Sequence, residues 1–183
     1  MADERAGGIV PDDKDWTWTL ERACPDCGFV AAAVGDADIA RLLTAFTDPW
    51  PEVLLRADVR DRPDSATWSP LEYGAHVRDV CRLFAQRTDL MLEEVNPPFA
   101  NWDQDVTAIE DDYAGQEPHA VAGEILASGV AWSSRYAALT PAQWERTGVR
   151  SNGSVFTVRT LAQYGLHDLR HHLWDVGVDV PRG

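Results

Sequence analysis

One helix start in this sequence is marked more clearly than any other element boundary. The run Ser69-Pro70-Leu71-Glu72 combines a capping serine, a proline at the first helical position and a glutamate at the third. An apolar stripe at helical spacing follows, until Asn96-Pro97-Pro98 ends it. The members of the stripe are Tyr73, His76, Val77, Val80, Leu83, Phe84, Leu90 and Met91. This pattern predicts a long amphipathic helix with one buried face.

Three further stretches show the same helical spacing. They run from about residue 36, with a kink or break at Pro49 and Pro51, and over residues 118–139 and 158–176. The Asn-Gly pair at 152–153 predicts a hairpin turn, and residues 99–116 are interpreted as a long loop. Four main helices joined by short and long connections predict an all-α protein, a four-helix bundle.

The chain divides into an irregular N-terminal arm, residues 1–35, and the bundle domain, residues 36–183. The alternation of aromatic and polar side chains from Asp15 to Leu20 favours a short strand or an extended arm. A total of 183 residues is typical of a single bundle domain rather than two domains.

The charge balance excludes several classes of partner. The chain carries 30 acidic and 16 basic residues, a formal net charge of −14. Such a protein repels nucleic-acid backbones and anionic lipid, so no nucleic acid and no membrane is expected as a partner. The charged start lacks the apolar core of a signal peptide, and three cysteines do not make a secreted disulfide framework. These features predict a cytoplasmic protein.

Three of the five histidines are spaced as metal ligands would be. His167 and His171 stand at i and i+4 on the last helix, where one ion can reach both rings. His76 lies on the apolar stripe of the second helix and is expected to face inward towards that pair. The set predicts a divalent metal site with open positions, suited to zinc, nickel, iron or cobalt. His172 is rotated about 100° from His171 and is not expected to bind the same ion.

Two simpler interpretations of these histidines stay open: a polar helix face for the pair, and a hydrogen-bonded core histidine for His76. Carboxylates nearby favour the metal. Asp79, Asp168 and Asp175 are expected to accept hydrogen bonds from the outer nitrogens of the ligating rings, which fixes the imidazole tautomer.

The turn Cys24-Pro25-Asp26-Cys27-Gly28 carries a second chemical signal. It matches a metal knuckle, but it supplies only two ligands, whereas a structural zinc ion needs four. Cys24 and Cys27 are therefore candidates for an accessory metal site, for a redox pair, or for plain packing. Because they precede the bundle, we expect them to be separate from the histidine centre. Five of the eight tryptophans are expected near the mouth of the bundle: Trp16, Trp18, Trp68, Trp102 and Trp132. They can line a pocket above the metal, or they can simply pack in the core and at its rim.

The run from Ser69 to His76, S-P-L-E-Y-x-x-H, together with His167-x-x-x-His171, resembles the DinB-like superfamily over residues 36–177. That superfamily includes thiol-dependent S-transferases and the mycothiol-dependent maleylpyruvate isomerase. The resemblance implies an up-down-down-up four-helix bundle, in which His76, His167 and His171 hold one divalent metal ion. Where many members have Arg-Gly-Gln after the last histidine, this chain has His172-Leu173-Trp174.

The resemblance implies a metal-dependent S-transferase or isomerase. Its cosubstrate would be a low-molecular-weight thiol, such as mycothiol in an actinobacterial host, and its substrate an electrophile. A homodimer is also consistent with the family. Two alternatives use the same histidines: a non-catalytic metal-binding module of the stress response, and a metal-assisted hydrolase.

Overall fold

The structure, a computed structural model, describes residues 15–180. Its helices are α1 (Asp36–Thr47), α2 (Trp50–Leu54), α3 (Pro70–Glu93), α4 (Gln104–Glu110), α5 (Pro118–Ser134), α6 (Pro141–Trp144) and α7 (Val158–Asp175). Its strands are β1 (Pro98–Phe99), β2 (Thr147–Arg150) and β3 (Val155–Thr157). Within this range no helix combines the length and the apolar character needed to cross a bilayer.

The four long helices α1, α3, α5 and α7 form a bundle. Helix α3 packs against α5 and α7, and α1 packs against the same two helices. The starts of α1 and α7 lie together, since Arg159 donates to Asp36 at 3.0 Å. The starts of α3 and α5 also lie together, since Arg78 donates to Glu124 at 3.1 Å. Each of these pairs of helices is therefore parallel.

Helices α3 and α7 run in opposite directions. His76, near the start of α3, contacts His172, near the end of α7, with ring centroids 4.7 Å apart. At the other end of the bundle, β1 follows α3 and pairs with β2, which precedes α7. The outcome is that α1 and α7 run one way while α3 and α5 run the other.

Helix α3 begins where the sequence predicts. Ser69 caps the helix by accepting from the backbone of Glu72 at 3.3 Å, and the Glu72 carboxylate accepts from the Ser69 backbone at 2.9 Å. Arg62 donates to the same carboxylate through Nε at 2.9 Å and through a second nitrogen. Glu72 is only 3% exposed, so this network satisfies a charge that burial would otherwise make costly.

A small sheet makes the all-α prediction only approximately right. Strands β2 and β3 pair antiparallel around the turn that contains Asn152-Gly153, which confirms the predicted hairpin. Gly153 takes a φ of +89°, a conformation that favours glycine. Strand β1 pairs parallel with β2, which completes a three-stranded sheet at the end of α3. The sequence pattern missed β1 because it has only two residues.

Other elements also differ from the predictions. Residues 16–20 form a 3-10 helix capped by Asp15, not a strand or extended arm. The predicted loop over residues 99–116 contains α4, whose N-terminus is capped by Asp103. Helix α5 ends at Ser134, five residues before the predicted end. The break expected at Pro49 and Pro51 is present, by contrast, and divides the first predicted helix into α1 and α2. These short elements depend on caps and tertiary contacts, which hydrophobic periodicity does not report.

Residues 15–35, called here the N-terminal segment, pack onto the bundle. Cys24, Cys27 and Phe29 are at most 2% exposed and belong to the same apolar core as the long helices. The two short 3-10 helices of the segment contact α7. The N-terminal segment therefore covers one side of α7, while α3 covers another.

Gly165 allows α7 to approach the aromatic core closely. A Cβ atom at this position would lie 2.5 Å from Trp132 and 2.8 Å from Phe84. We expect Gly165→Ala to lower the free energy of unfolding by about 1–3 kcal/mol, since neither ring can move without repacking. Gly123→Ala is the matched control: its Cβ meets nothing within 4 Å, so it should stabilise α5 by up to about 1 kcal/mol. Urea titration of both variants measures these changes.

Glu72 is expected to give the fold a dependence on acid pH. Burial alone would raise the pKa of Glu72, but hydrogen bonds from Arg62 and Ser69 outweigh burial and lower it. The unfolded chain therefore binds this proton at a higher pH than the folded chain does. The stabilisation that Glu72 contributes is present above the pKa that this group has in the unfolded chain. It is lost as the pH falls from about 5 through the lower pKa of the folded chain.

Glu72→Gln should lower the free energy of unfolding by about 1.5–3 kcal/mol at neutral pH. It should also make the loss of stability below about pH 5 less steep. Denaturant titrations at a series of pH values test this. Glu117→Gln changes an exposed glutamate and should leave the profile unaltered. If Glu72→Gln loses stability in acid as steeply as the unmodified chain does, other carboxylates are responsible for the pH dependence.

Candidate metal centre

Helix α7 carries two pairs of possible metal ligands, offset by one residue. His167 and His171 form one pair at i and i+4, and Asp168 and His172 form the other. Members of a pair lie one above the other on a helix, while successive residues are rotated by about 100°. The two pairs therefore face different neighbours, and each meets ligands from a different part of the chain.

The first cluster, called here the open group, consists of His76, Asp168 and His172. One ligand atom of each residue lies within 4.8 Å of the others. Oδ1 of Asp168 is 3.4 Å from Nε2 of His76 and 3.4 Å from Nε2 of His172. Ligands bonded at about 2.1 Å in a tetrahedron stand about 3.4 Å apart, so these separations suit a shared ion.

Asp175 orients the His172 ring. The Nδ1 atom of His172 lies 2.8 Å from Oδ2 of Asp175. When Nδ1 carries the proton and donates it to this carboxylate, Nε2 is left with a lone pair directed towards Asp168. A carboxylate behind a histidine in this manner fixes the tautomer and raises the basicity of the ligating nitrogen.

Buried polar atoms of the open group lack hydrogen bonds. Both ring nitrogens of His76 and Oδ1 of Asp168 have no hydrogen-bond partner, although His76 is fully buried. An unsatisfied buried polar group is costly, so a set of them converging on one point calls for an explanation. Two imidazole nitrogens and a carboxylate oxygen are donors that divalent metals accept, and the residues present fit such an ion.

The charge states of the open group also fit a cation. Burial lowers the pKa of His76, which keeps the ring neutral and able to bind a metal. Burial alone would raise the pKa of Asp168, but the neighbouring His172 and His76 outweigh burial and lower it to about 2. Near neutral pH the open group thus offers an anionic carboxylate beside the one lone pair of the neutral His76 ring.

Aromatic rings surround the open group. Trp102 stacks on His76, with ring centroids 5.3 Å apart and planes inclined by 8°. Trp68 lies 5.4 Å from the same ring, and Tyr73 lies 5.1 Å from His172. Trp102 is held by a hydrogen bond from Nε1 to Thr107 on α4, at 2.8 Å. The segment predicted to be a loop therefore provides part of the wall.

The second cluster, called here the closed group, consists of Cys24, Cys27, His167 and His171, whose ligand atoms all lie within 4.8 Å of one another. The Sγ atom of Cys24 is 3.6 Å from Nδ1 of His171. Burial raises the pKa of Cys27 to about 11 and, with the charge of His171, lowers that of His167 to about 4. The Trp16 ring covers both imidazoles, at 5.7 Å from His167 and 5.3 Å from His171.

The structure groups the predicted metal ligands differently from the sequence analysis. His76 meets Asp168 and His172, while His167 and His171 meet the cysteine turn. Within residues 15–180, no group that joins His76 to His167 and His171 has its ligand atoms within 4.8 Å of one another. Contrary to expectation, the cysteine turn is not separate from these two histidines, because the N-terminal segment folds back onto α7. The cause is the rotation of α7, which directs residues 168 and 172 towards α3.

The three carboxylates predicted to support the metal ligands differ in what they contact. Asp175 contacts a histidine as expected, whereas Asp168 lies among the candidate ligands themselves. Asp79 is engaged elsewhere: Arg78 donates to it through two nitrogens at 2.8 Å, and the Tyr113 hydroxyl donates at 2.6 Å. Asp79 therefore belongs to an ion-pair network between α3 and the segment before α5.

Sequence reasoning missed Asp168 and His172 as ligand candidates. A signal was present, since Asp168-x-x-x-His172 has the same spacing as His167-x-x-x-His171. The tryptophan prediction holds in part. Trp68 and Trp102 line the open group, whereas Trp132 lies in the core, where its indole N–H donates to Tyr136 at 2.7 Å.

Comparison with known proteins gives two matches. The family model of the DinB superfamily matches residues 38–176. Among solved structures, the chain is similar to YfiT from Bacillus subtilis, with a TM-score of 0.68 and 15% sequence identity. The alignment covers 76% of this chain and 82% of YfiT, which is described as a probable metal-dependent hydrolase with an unusual four-helix bundle topology. No curated protein matches in sequence. With its model matched over most of the bundle, this chain belongs to the DinB superfamily.

Proposed function

We propose that the chain is a metal-dependent hydrolase whose divalent ion is held by His76, Asp168 and His172. The observation that carries this proposal is the position of Asp168 Oδ1, at 3.4 Å from the Nε2 atoms of both histidines. Two imidazoles and one carboxylate form the donor set of catalytic zinc in several hydrolases, and they also suit iron. Zinc is the first candidate, with nickel, iron and cobalt as alternatives.

Access to the open group supports a catalytic rather than a structural ion. The side chains of Asp168 and His172 are 25% and 15% exposed, while His76 is fully buried. The open group therefore lies nearer to solvent on its α7 side than on its α3 side, although Oδ1 of Asp168 itself is buried. Three protein ligands leave positions for water or substrate, whereas structural zinc sites are usually closed by four.

A divalent ion bound in the open group supplies Lewis-acid chemistry, which lowers the pKa of a coordinated water molecule or thiol. The chain's own residues then have separate tasks. Asp175 holds the proton on Nδ1 of His172, so that Nε2 can bind the ion through its lone pair. Burial and the nearby Asp175 raise the pKa of Tyr73, so its hydroxyl stays protonated and can donate a hydrogen bond to substrate.

The wall of the open group indicates the class of substrate. Trp68, Trp102 and Tyr73 offer apolar ring surfaces that suit a flat or aromatic group. A net charge of −14 disfavours the approach of anions. We infer a neutral or cationic substrate with a hydrolysable bond next to an aromatic or apolar group.

Thiol transfer is the second candidate, because the resemblance of the two motifs implies it and it needs the same open positions. Here a low-molecular-weight thiol such as mycothiol would replace water as the nucleophile, since a metal-coordinated thiol loses its proton. Hydrolysis is placed first because its catalytic zinc sites share this donor set and because the structural neighbour YfiT is described as a probable metal-dependent hydrolase.

Asp175 is expected to support metal binding without touching the ion. Asp175→Asn removes the negative charge behind His172 and should weaken the binding of zinc or cobalt by about 10–100-fold. Competition against a chromophoric chelator measures this affinity. Asp38→Asn is the matched control, because Asp38 pairs with Arg41 at the surface and should leave affinity unchanged. Unchanged affinity in Asp175→Asn would mean that this contact only shapes the helix end.

The activity test uses protein stripped of metal and reloaded with zinc, cobalt, nickel or iron. It is assayed on neutral activated esters and amides that carry aromatic groups. We expect turnover to require the ion and to fall to background in His76→Ala and in His172→Ala. His119→Ala, at an exposed histidine outside both groups, should keep full turnover.

The same proteins are then offered mycothiol, bacillithiol, glutathione or cysteine with a bimane halide. Metal-dependent conjugation without hydrolysis would replace the hydrolase with an S-transferase. The absence of metal-dependent turnover in both assays would instead favour the non-catalytic metal-binding module.

A further inference from the structure

The closed group contains four ligands of the types that structural zinc sites use. Two thiols come from the N-terminal segment and two imidazoles from α7, separated by about 140 residues of chain. Cys24, Cys27 and His167 are 1%, 2% and 4% exposed, and the side chain of His171 is 15% exposed, so solvent approaches the group only at His171. Closure by four protein ligands is typical of structural rather than catalytic zinc.

The distances in the closed group fit a tetrahedral ion. With Zn–S bonds of about 2.3 Å and Zn–N bonds of about 2.0–2.1 Å, the sulfur and nitrogen corners of a tetrahedron stand about 3.6 Å apart. The Sγ atom of Cys24 lies 3.6 Å from Nδ1 of His171. His167 adds an independent observation, because its buried Nε2 has no hydrogen-bond partner.

The backbone around the cysteines forms a tight turn. The N–H of Gly28 donates to the carbonyl of Cys24 at 3.0 Å, and the N–H of Cys24 donates to the carbonyl of Phe29 at 3.0 Å. Gly28 takes a φ of +70°, which favours glycine and reverses the chain after the second cysteine. The turn brings both thiols to within 4.8 Å of the two α7 histidines.

A buried cation lies beside this turn. Arg170 is 3% exposed, its Nε and Nη1 atoms have no hydrogen-bond partner, and its charge acts on Cys27. A buried guanidinium needs negative charge nearby, and Oδ1 of Asp179 lies 3.8 Å from Nη2 of Arg170.

A redox pair explains the closed group less well. A redox dithiol needs a sulfur that partners can reach, but both cysteines are at most 2% exposed. Such a pair also has no need for two imidazoles converging on it. Plain packing leaves the buried Nε2 of His167 unsatisfied.

We propose that Cys24, Cys27, His167 and His171 bind a structural zinc ion that fastens the N-terminal segment to α7. This site is distinct from the open group, since the two clusters share no ligand. Its effect reaches the open group, because Asp168 and His172 directly follow His167 and His171 along α7. Fixing one pair of ligands fixes the rotation of the helix and hence the direction of the other pair.

The first test counts bound zinc and uses cobalt as a probe. Zinc-loaded Cys24→Ser/Cys27→Ser should hold one equivalent fewer than the unmodified chain and should melt at a lower temperature. Cys81→Ala is the matched control: Cys81 is also fully buried, but it lies on α3 outside the group, and its loss should leave the zinc count unchanged. After cobalt substitution, a sulfur-to-metal charge-transfer band should disappear in the double variant and persist in His172→Ala.

The second test needs no variant, which matters if the double variant fails to fold. X-ray absorption of the zinc-loaded chain should show sulfur neighbours at about 2.3 Å together with nitrogen at about 2.0–2.1 Å. Zinc surrounded only by nitrogen and oxygen would overturn the proposal. So would a disulfide between Cys24 and Cys27 that forms without release of metal. If the chain shows no hydrolytic turnover, the hydrolase proposal fails, but sulfur neighbours of zinc would still be detected. The hydrolase proposal and the structural zinc proposal can therefore fail independently.

Discussion

Helix α7 is enclosed by α3 on one side and by the N-terminal segment on another, and its rotation decides which ligands meet. Turning α7 by one residue would direct His167 and His171 towards His76 and would separate the cysteines from their imidazoles. The rotation is set by packing. Gly165 lies against Trp132 and Phe84 with no room for a Cβ atom, so this face of α7 must point at the core. The arrangement of both candidate centres therefore depends on an apolar contact that contains no ligand.

The start of α3 fixes the other half of the open group. Glu72 is held by Arg62 and Ser69, and His76 follows it by one helical turn. A defined first turn gives His76 a defined position against α7. Trp102 then stacks on its ring from a segment that lies outside the four long helices. The open group is thus assembled from three separate parts of the chain.

Much of the fold follows from the sequence, because its signals are local. The capping box at Ser69 and the hairpin at Asn152-Gly153 need only neighbouring residues, and the structure contains both. The site depends on information that is not local. His167, Asp168, His171 and His172 present two equally spaced pairs, and spacing alone does not show which pair faces α3. The return of Cys24 to α7 likewise depends on tertiary packing, which no periodicity in residues 1–35 reveals.

The two clusters on α7 differ in the hardness of their donors. Thiolate sulfur prefers soft or borderline ions such as zinc and cuprous copper, whereas a carboxylate with two imidazoles also accepts ferrous iron, cobalt or nickel. If the two proposed sites are both occupied, a single chain would select two different metals from the same cellular mixture. Such a protein would need each metal to bind in its own cluster. A different ion in either cluster would change the metal content without changing the sequence, so preparations of equal purity would differ in activity and in stability.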